Sequence, residues 1–170
     1  MKDDRAARSQ RRGKRAGLHP VGLMLLILAL LGSTGAIASD PEEHYASASQ
    51  LNASVANPIN GVAVSVVPSR LGVIILLARR DRSGEAEIHM TNDDEIVARE
   101  GCADLLVGGK AEGLRAVSEN EYRGSSLEGA HSYRVCAGDV MFIPAGKPHQ
   151  VRLRDGASFS YLTIKMKVQE

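Results

Sequence analysis

From residue 61 onward, apolar positions gather in short runs punctuated by glycine and proline. Residues 61–67 alternate and stop at Pro68, which cannot donate to a strand ladder. Residues 71–78 form a second apolar strand, rich enough to be buried and far too short to cross a membrane. Further short segments fall at 87–89, 95–98, 103–107 and 140–143, with turn glycines at 101, 108, 109 and 138. Residues 159–168 read as a final alternating strand. Short, regularly spaced strands with glycine turns predict an all-β sandwich or closed barrel. Residues 110–130 read as the longest irregular stretch, the kind that forms lids or insertions. Residues 39–60 are polar, with Leu51 and Val55 one helical turn apart, and predict a short helix or an irregular arm lying on the barrel.

The first 38 residues carry a different pattern. Seven basic residues precede an apolar run of eleven, Val21 to Leu31, and Ala36, Ile37 and Ala38 form a small-residue cleavage site. This is the layout of a secretory signal peptide, and the run falls short of the roughly 20 residues needed to span a bilayer. An uncleaved signal anchor is the alternative, because 21–38 contains no charge. The chain thus divides into a signal at 1–38, an arm at 39–60 and a barrel domain at 61–170, which places the protein outside the cytoplasm, secreted or periplasmic.

Cleavage reverses the charge balance. Seven of the 21 basic residues and two of the 20 acidic ones leave with the signal, so the mature chain carries 14 basic residues against 18 acidic ones. A mildly acidic domain gives no reason to expect nucleic acid or an anionic membrane as partner. Trp is absent and only four Tyr and two Phe occur, too few for a stacking platform. Arg79, Arg80 and Arg82, beside Asp81, read as a solvated loop, with one arginine reaching an acidic substrate as the alternative. Glu121 and Arg123, in the run E-Y-R-G, read as a local surface salt bridge, with a place at the mouth of a pocket as the alternative for either. Cys102 and Cys136 read as two independent small core residues. Export would also permit a bridge, which in the chain-entropy model contributes roughly 3 to 4 kcal/mol.

Residues 138–149 hold the candidate chemistry. Gly138 and Asp139 form a tight turn, 140–143 is a strand short enough to be buried on both faces, and Pro144, Gly146 and Pro148 bend and stiffen the approach to His149. A histidine held this way suits a metal ligand and equally a structural hydrogen bond. The spacing of Gly138, Pro144, Gly146 and His149 resembles the second motif of the cupin family, G-x5-P-x-G-x2-H. That resemblance covers roughly residues 70 to 168 and implies a jelly-roll β-barrel. The family's first motif, G-x5-H-x-H-x4-E-x6-G, aligns on Gly101 to give Glu87, His89 and Asp94, with glutamate in place of the first histidine and aspartate in place of the glutamate. Asp81 stands where the leading glycine belongs, and Leu153 where the second motif closes on asparagine. A second register, through Thr91 and Glu95, replaces a ligand with threonine.

The resemblance implies a metal shell of Glu87, His89, Asp94 and His149. Two imidazoles with carboxylates suit Fe, Mn, Ni or Zn in the divalent state. Glu87 and His89, two apart on a strand, share a face, and Glu87 doubles as a candidate general base. The implied activity is that of a metal-dependent cupin acting on a small polar molecule, as an oxygenase, isomerase or lyase. The alternatives are a non-catalytic barrel that binds a metal or small ligand and a barrel whose histidines only brace the core. Open sheet edges in a barrel of this size offer a route to a homodimer.

Overall fold

The structure, a computed structural model, describes residues 43–168, so the signal sequence lies outside the described residues. One long strand organises it. β4 (Asn92–Val107) belongs to two sheets in succession. Its first part pairs with β10 (Val140–Ile143) and β12 (Phe159–Lys167), and β12 continues to β2 (Val73–Arg80) and the edge strand β1 (Val62–Val67). Its second part pairs with β9 (His131–Cys136) and β11 (His149–Arg152), from which the sheet runs through β3 (Ala86–His89) and β7 (Glu121–Gly124) to β6 (Arg115–Ser118). All these pairings are antiparallel.

The two expected strands at 95–98 and 103–107 are therefore one strand of 16 residues, and Gly101 marks the change of partner rather than a turn. Gly101 has φ +72°, a backbone state that glycine adopts freely, and a Cβ there would overlap the Ser158 carbonyl oxygen. The neighbouring strand irregularity between Ser160 and Tyr161 accommodates the same bend.

Between the sheets lie Ile96, Ala98, Leu105, Ile143, Val151, Phe159 and Tyr161, all buried. These residues come from the alternating positions, and the β-branched and aromatic side chains among them pack well on pleated surfaces. The strand at 140–143 is not buried on both faces: Val140 and Phe142 are 58% and 56% exposed, while Met141 and Ile143 turn inward. Among the described residues β10 pairs with β4 alone, which leaves its other side without a strand.

Two further expectations need correction. Residues 110–130 are not irregular but hold four short strands. β6 and β7 are joined by a turn with Asn120 at φ +62°, and β5 (Lys110–Glu112) pairs with β8 (Ser126–Glu128). Segments of three or four residues, charged and interrupted by turns, are too short to show an alternation. Cys102 and Cys136 are not independent either: they form a disulfide, Cα atoms 4.1 Å apart, because β4 and β9 set them directly opposite each other. At the N-terminus, α1 (Ala48–Ser54) starts with Ser47 and Gln50 in a capping box, and Val55 just beyond it is buried. Among the described residues, no helix is long and apolar enough to cross a membrane.

Candidate metal centre

Three neighbouring strands deliver most of the site. His149, the first residue of β11, lies opposite Glu87 of β3, and β3 sets Glu87 against Arg123 and His89 against Glu121 of β7. Opposed residues share a face of a sheet, and alternate residues return to it. Glu87, His89, Glu121, Arg123 and His149 consequently point the same way. The other sheet answers with Asp94 of β4 and Lys165 of β12, which are also register partners. The Pro144–Gly146 turn is tied down from both sides: the Gly146 amide donates to the His89 carbonyl at 2.7 Å, and the Ala145 amide to Asp93 at 2.8 Å.

All four residues expected in the shell come together, but they are not equivalent. Glu87, His89 and His149 offer one ligand atom each within 4.8 Å of one another. Asp94 stands close by, its Oδ2 3.4 Å from His89 Nε2 and 3.6 Å from His149 Nε2. Both its oxygens, however, accept from the Lys165 ammonium, at 2.7 and 2.8 Å. Lys165 therefore competes for the carboxylate that the family pattern assigns to a metal. No sequence signal near Asp94 marks that lysine, which lies 71 residues away.

The imidazoles are oriented for ligation. His149 Nδ1 donates to the Lys147 carbonyl at 3.1 Å, and because a carbonyl only accepts, the proton sits on Nδ1 and the Nε2 lone pair faces the cluster. His89 Nδ1 is paired with the Glu121 carboxylate, which sets the same tautomer and makes the ring more basic. Glu121 is thus a site residue and not a surface partner of Arg123 alone. His89 Nε2 is buried and, among the described residues, has no hydrogen-bond partner; Glu87 Oε2 and Asp94 Oδ2, each 3.4 Å away, both miss hydrogen-bond geometry. An unpaired buried polar nitrogen costs about 1–3 kcal/mol. A cation held between these donors would satisfy it, so the residues fit a divalent metal.

The electrostatics separate the roles further. Burial alone would raise the Glu87 carboxyl, but the His89 ring 3.4 Å away, the Arg123 charge, the His149 ring and the Arg80 charge outweigh it and hold Glu87 far below the usual carboxylate range. A general base works best with a pKa near the working pH. The downward shift suits Glu87 to an oxygen ligand instead. Burial lowers His149, whereas for His89 the hydrogen bond to Glu121 and the neighbouring Glu87 and Asp94 carboxylates outweigh burial and raise it. Arg80 also departs from expectation. It is no loop residue: it ends β2, and its part-buried guanidinium borders the cluster, donating to the Tyr161 hydroxyl at 2.9 Å and reaching Glu87 at 3.4 Å. Its partners sit on strands that the sequence alone does not place beside it.

Glu121→Gln keeps a polar partner for the ring but removes its charge. Metal affinity is expected to fall about tenfold or more, measured by competition with a chromophoric chelator. An unchanged affinity would show that Glu121 does not support the ligand.

No family model matches the chain, and no curated protein matches it. Among solved structures, the conserved SPY1581 protein of unknown function from Streptococcus pyogenes superposes with a TM-score of 0.51 at 17% identity, over 77% of this chain and 95% of that one. A cupin 2 conserved barrel domain protein from Rhodopseudomonas palustris gives 0.45 at 18% identity, over 64% of this chain and 63% of its own. KdgF from Halomonas sp. gives 0.47 at 14% identity, over 68% and 88%. At these identities the likeness is one of fold. The described residues share an antiparallel jelly-roll type of fold with the Streptococcus pyogenes protein, and their inner face holds a His, His, carboxylate cluster able to take a metal.

Proposed function

We propose that this protein is an exported cupin barrel that holds one divalent metal ion on Glu87, His89 and His149 and acts there on a small polar molecule. The observation that carries the reading is the convergence of these three donors around the unpaired His89 nitrogen. The donor chemistry admits Fe, Mn, Ni or Zn. When bound, such an ion supplies Lewis acidity toward an oxygen-bearing substrate. The chain's own groups have distinct tasks. Glu121 and the Lys147 carbonyl orient the two rings, Arg80 and Arg123 keep Glu87 ionised, and Lys165 engages both oxygens of Asp94 in competition with a metal. The Cys102–Cys136 disulfide supports export, since such bonds persist in oxidising compartments.

A second reading, a non-catalytic metal-binding barrel, rests on Asp94. Its distances to both imidazoles allow it to complete a four-donor shell if Lys165 lets go. Purified protein dialysed in turn against Mn(II), Fe(II), Ni(II) and Zn(II) is expected to retain about one ion per chain by elemental analysis. His149→Ala is expected to retain less than about a tenth of that, and full retention by the variant would overturn the assignment. Turnover of a ligand that perturbs the metal spectrum favours the enzyme; perturbation without turnover favours the binder.

A further inference from the structure

The charges around the histidine pair cancel before any metal binds. Glu87, Asp94 and Glu121 supply three negative charges. Arg80, Arg123 and Lys165 supply three positive ones, each cation within 4 Å of one of those carboxylates. A divalent ion on neutral imidazoles therefore leaves two positive charges without partners, in a setting where bulk water screens poorly.

Exposure shows where they would be met. His89, Asp94 and His149 form a buried floor, with side chains 3 to 6% exposed, whereas Arg80, Arg123, Lys165, Glu87 and Glu121 form a rim at 14 to 22%. The two guanidiniums are loosely engaged with Glu87, through single contacts of 3.4 and 3.7 Å rather than a bidentate fork, so they retain donors for another anion.

The same face continues into an apolar shelf. Lys165 lies opposite Ile74; Thr163 lies opposite Leu76, which lies opposite Val66; Tyr161 lies opposite Ala78, which lies opposite Val64. Opposed residues share a face and adjacent strands are about 5 Å apart, so the shelf begins within about 10 Å of the β12 side chains in the site. Val64, Val66 and Ile74 on it are 40%, 51% and 43% exposed. Exposed apolar residues gathered beside a charged mouth mark a binding surface.

Resting on the metal reading above, we infer that the ligand is a carboxylate with an apolar body: the carboxylate lies between the metal and the Arg80 and Arg123 guanidiniums, and the hydrocarbon lies along Val64, Val66 and Ile74. Its chemistry distinguishes it from an inorganic anion, which would ignore the shelf, and from a neutral lipid, which would ignore the arginines.

Calorimetric titration of the zinc-loaded protein provides the test, with hexanoate, acetate, hexanamide and inorganic phosphate as probes. Hexanoate is expected to bind at least about tenfold tighter than each of the other three, since it alone joins charge to apolar area. Arg123→Gln, compared with the parent in samples brought to the same zinc content, is expected to weaken hexanoate about tenfold, and Val66→Asp to abolish its advantage over acetate. Equal binding of hexanoate and hexanamide, or of hexanoate and phosphate, overturns the inference without needing a variant. Sedimentation run alongside covers a rival occupant. A dimer that dissociates in Val66→Asp and is indifferent to hexanoate assigns the shelf to a second copy of the chain and overturns the inference too. Failure to hold zinc at all refutes the metal reading; zinc held without a preference for hexanoate refutes only this one.

Discussion

Gly101→Ala is expected to lower the free energy of unfolding by about 3 kcal/mol or more, read from urea denaturation monitored by circular dichroism. Two effects add. Alanine at φ +72° is strained by about 1–2 kcal/mol, and its Cβ would overlap the Ser158 carbonyl, which is backbone and cannot swing aside as a long side chain could. Relief requires β4 and the start of β12 to separate where the barrel bends. Gly156→Ala supplies the control. Gly156 has nearly the same φ, +71°, with nothing within 4 Å of the added carbon, so only the conformational part applies. Equal losses at the two positions would show that the close approach at Gly101 has no energetic role.

Lys165→Met is expected to destabilise the metal-free protein by about 3 kcal/mol while tightening metal binding. Asp94 is only 3% exposed, and removing the ammonium that both its oxygens accept from leaves a buried charge unpaired, the costly way to break a buried ion pair. The same loss frees both Asp94 oxygens, one of them already 3.4 and 3.6 Å from the two imidazole nitrogens. A divalent ion would then replace the lysine as counter-charge, so thermal melts with and without Zn(II) should differ more for the variant than for the parent. A variant whose metal affinity drops would show that Lys165 positions Asp94 for ligation rather than withholding it.

The sequence conveyed the barrel and singled out residues that the fold gathers into one cluster, because both depend on local spacing. His149 follows a glycine, a short strand and a proline turn; Glu87 and His89 follow the two-residue period of a strand. What it concealed depends on register between distant strands. Lys165 reaches Asp94, Arg80 reaches Tyr161, and Glu121 reaches His89 across 32 to 81 residues of chain, and no periodicity within any one segment encodes those meetings. Arg80 in particular ends an arginine pair that looks like solvated surface, and only its place opposite Phe159 in the sheet turns it inward. The strands at 110–128 were hidden for another reason. At three or four residues each, their hydrogen bonding to neighbours forms them, not their own composition.

The disulfide has a reach beyond its own two strands. Cys102 and Cys136 pinch off a covalent ring of chain, and Glu121 and Arg123 both lie on that ring. Should β6 and β7 peel away from β3, the tether at the neck limits how far they stray and shortens the search back, so the ring that escorts His89 can open without being lost. Under reducing conditions the same segment would hang from the barrel by ordinary strand pairing alone.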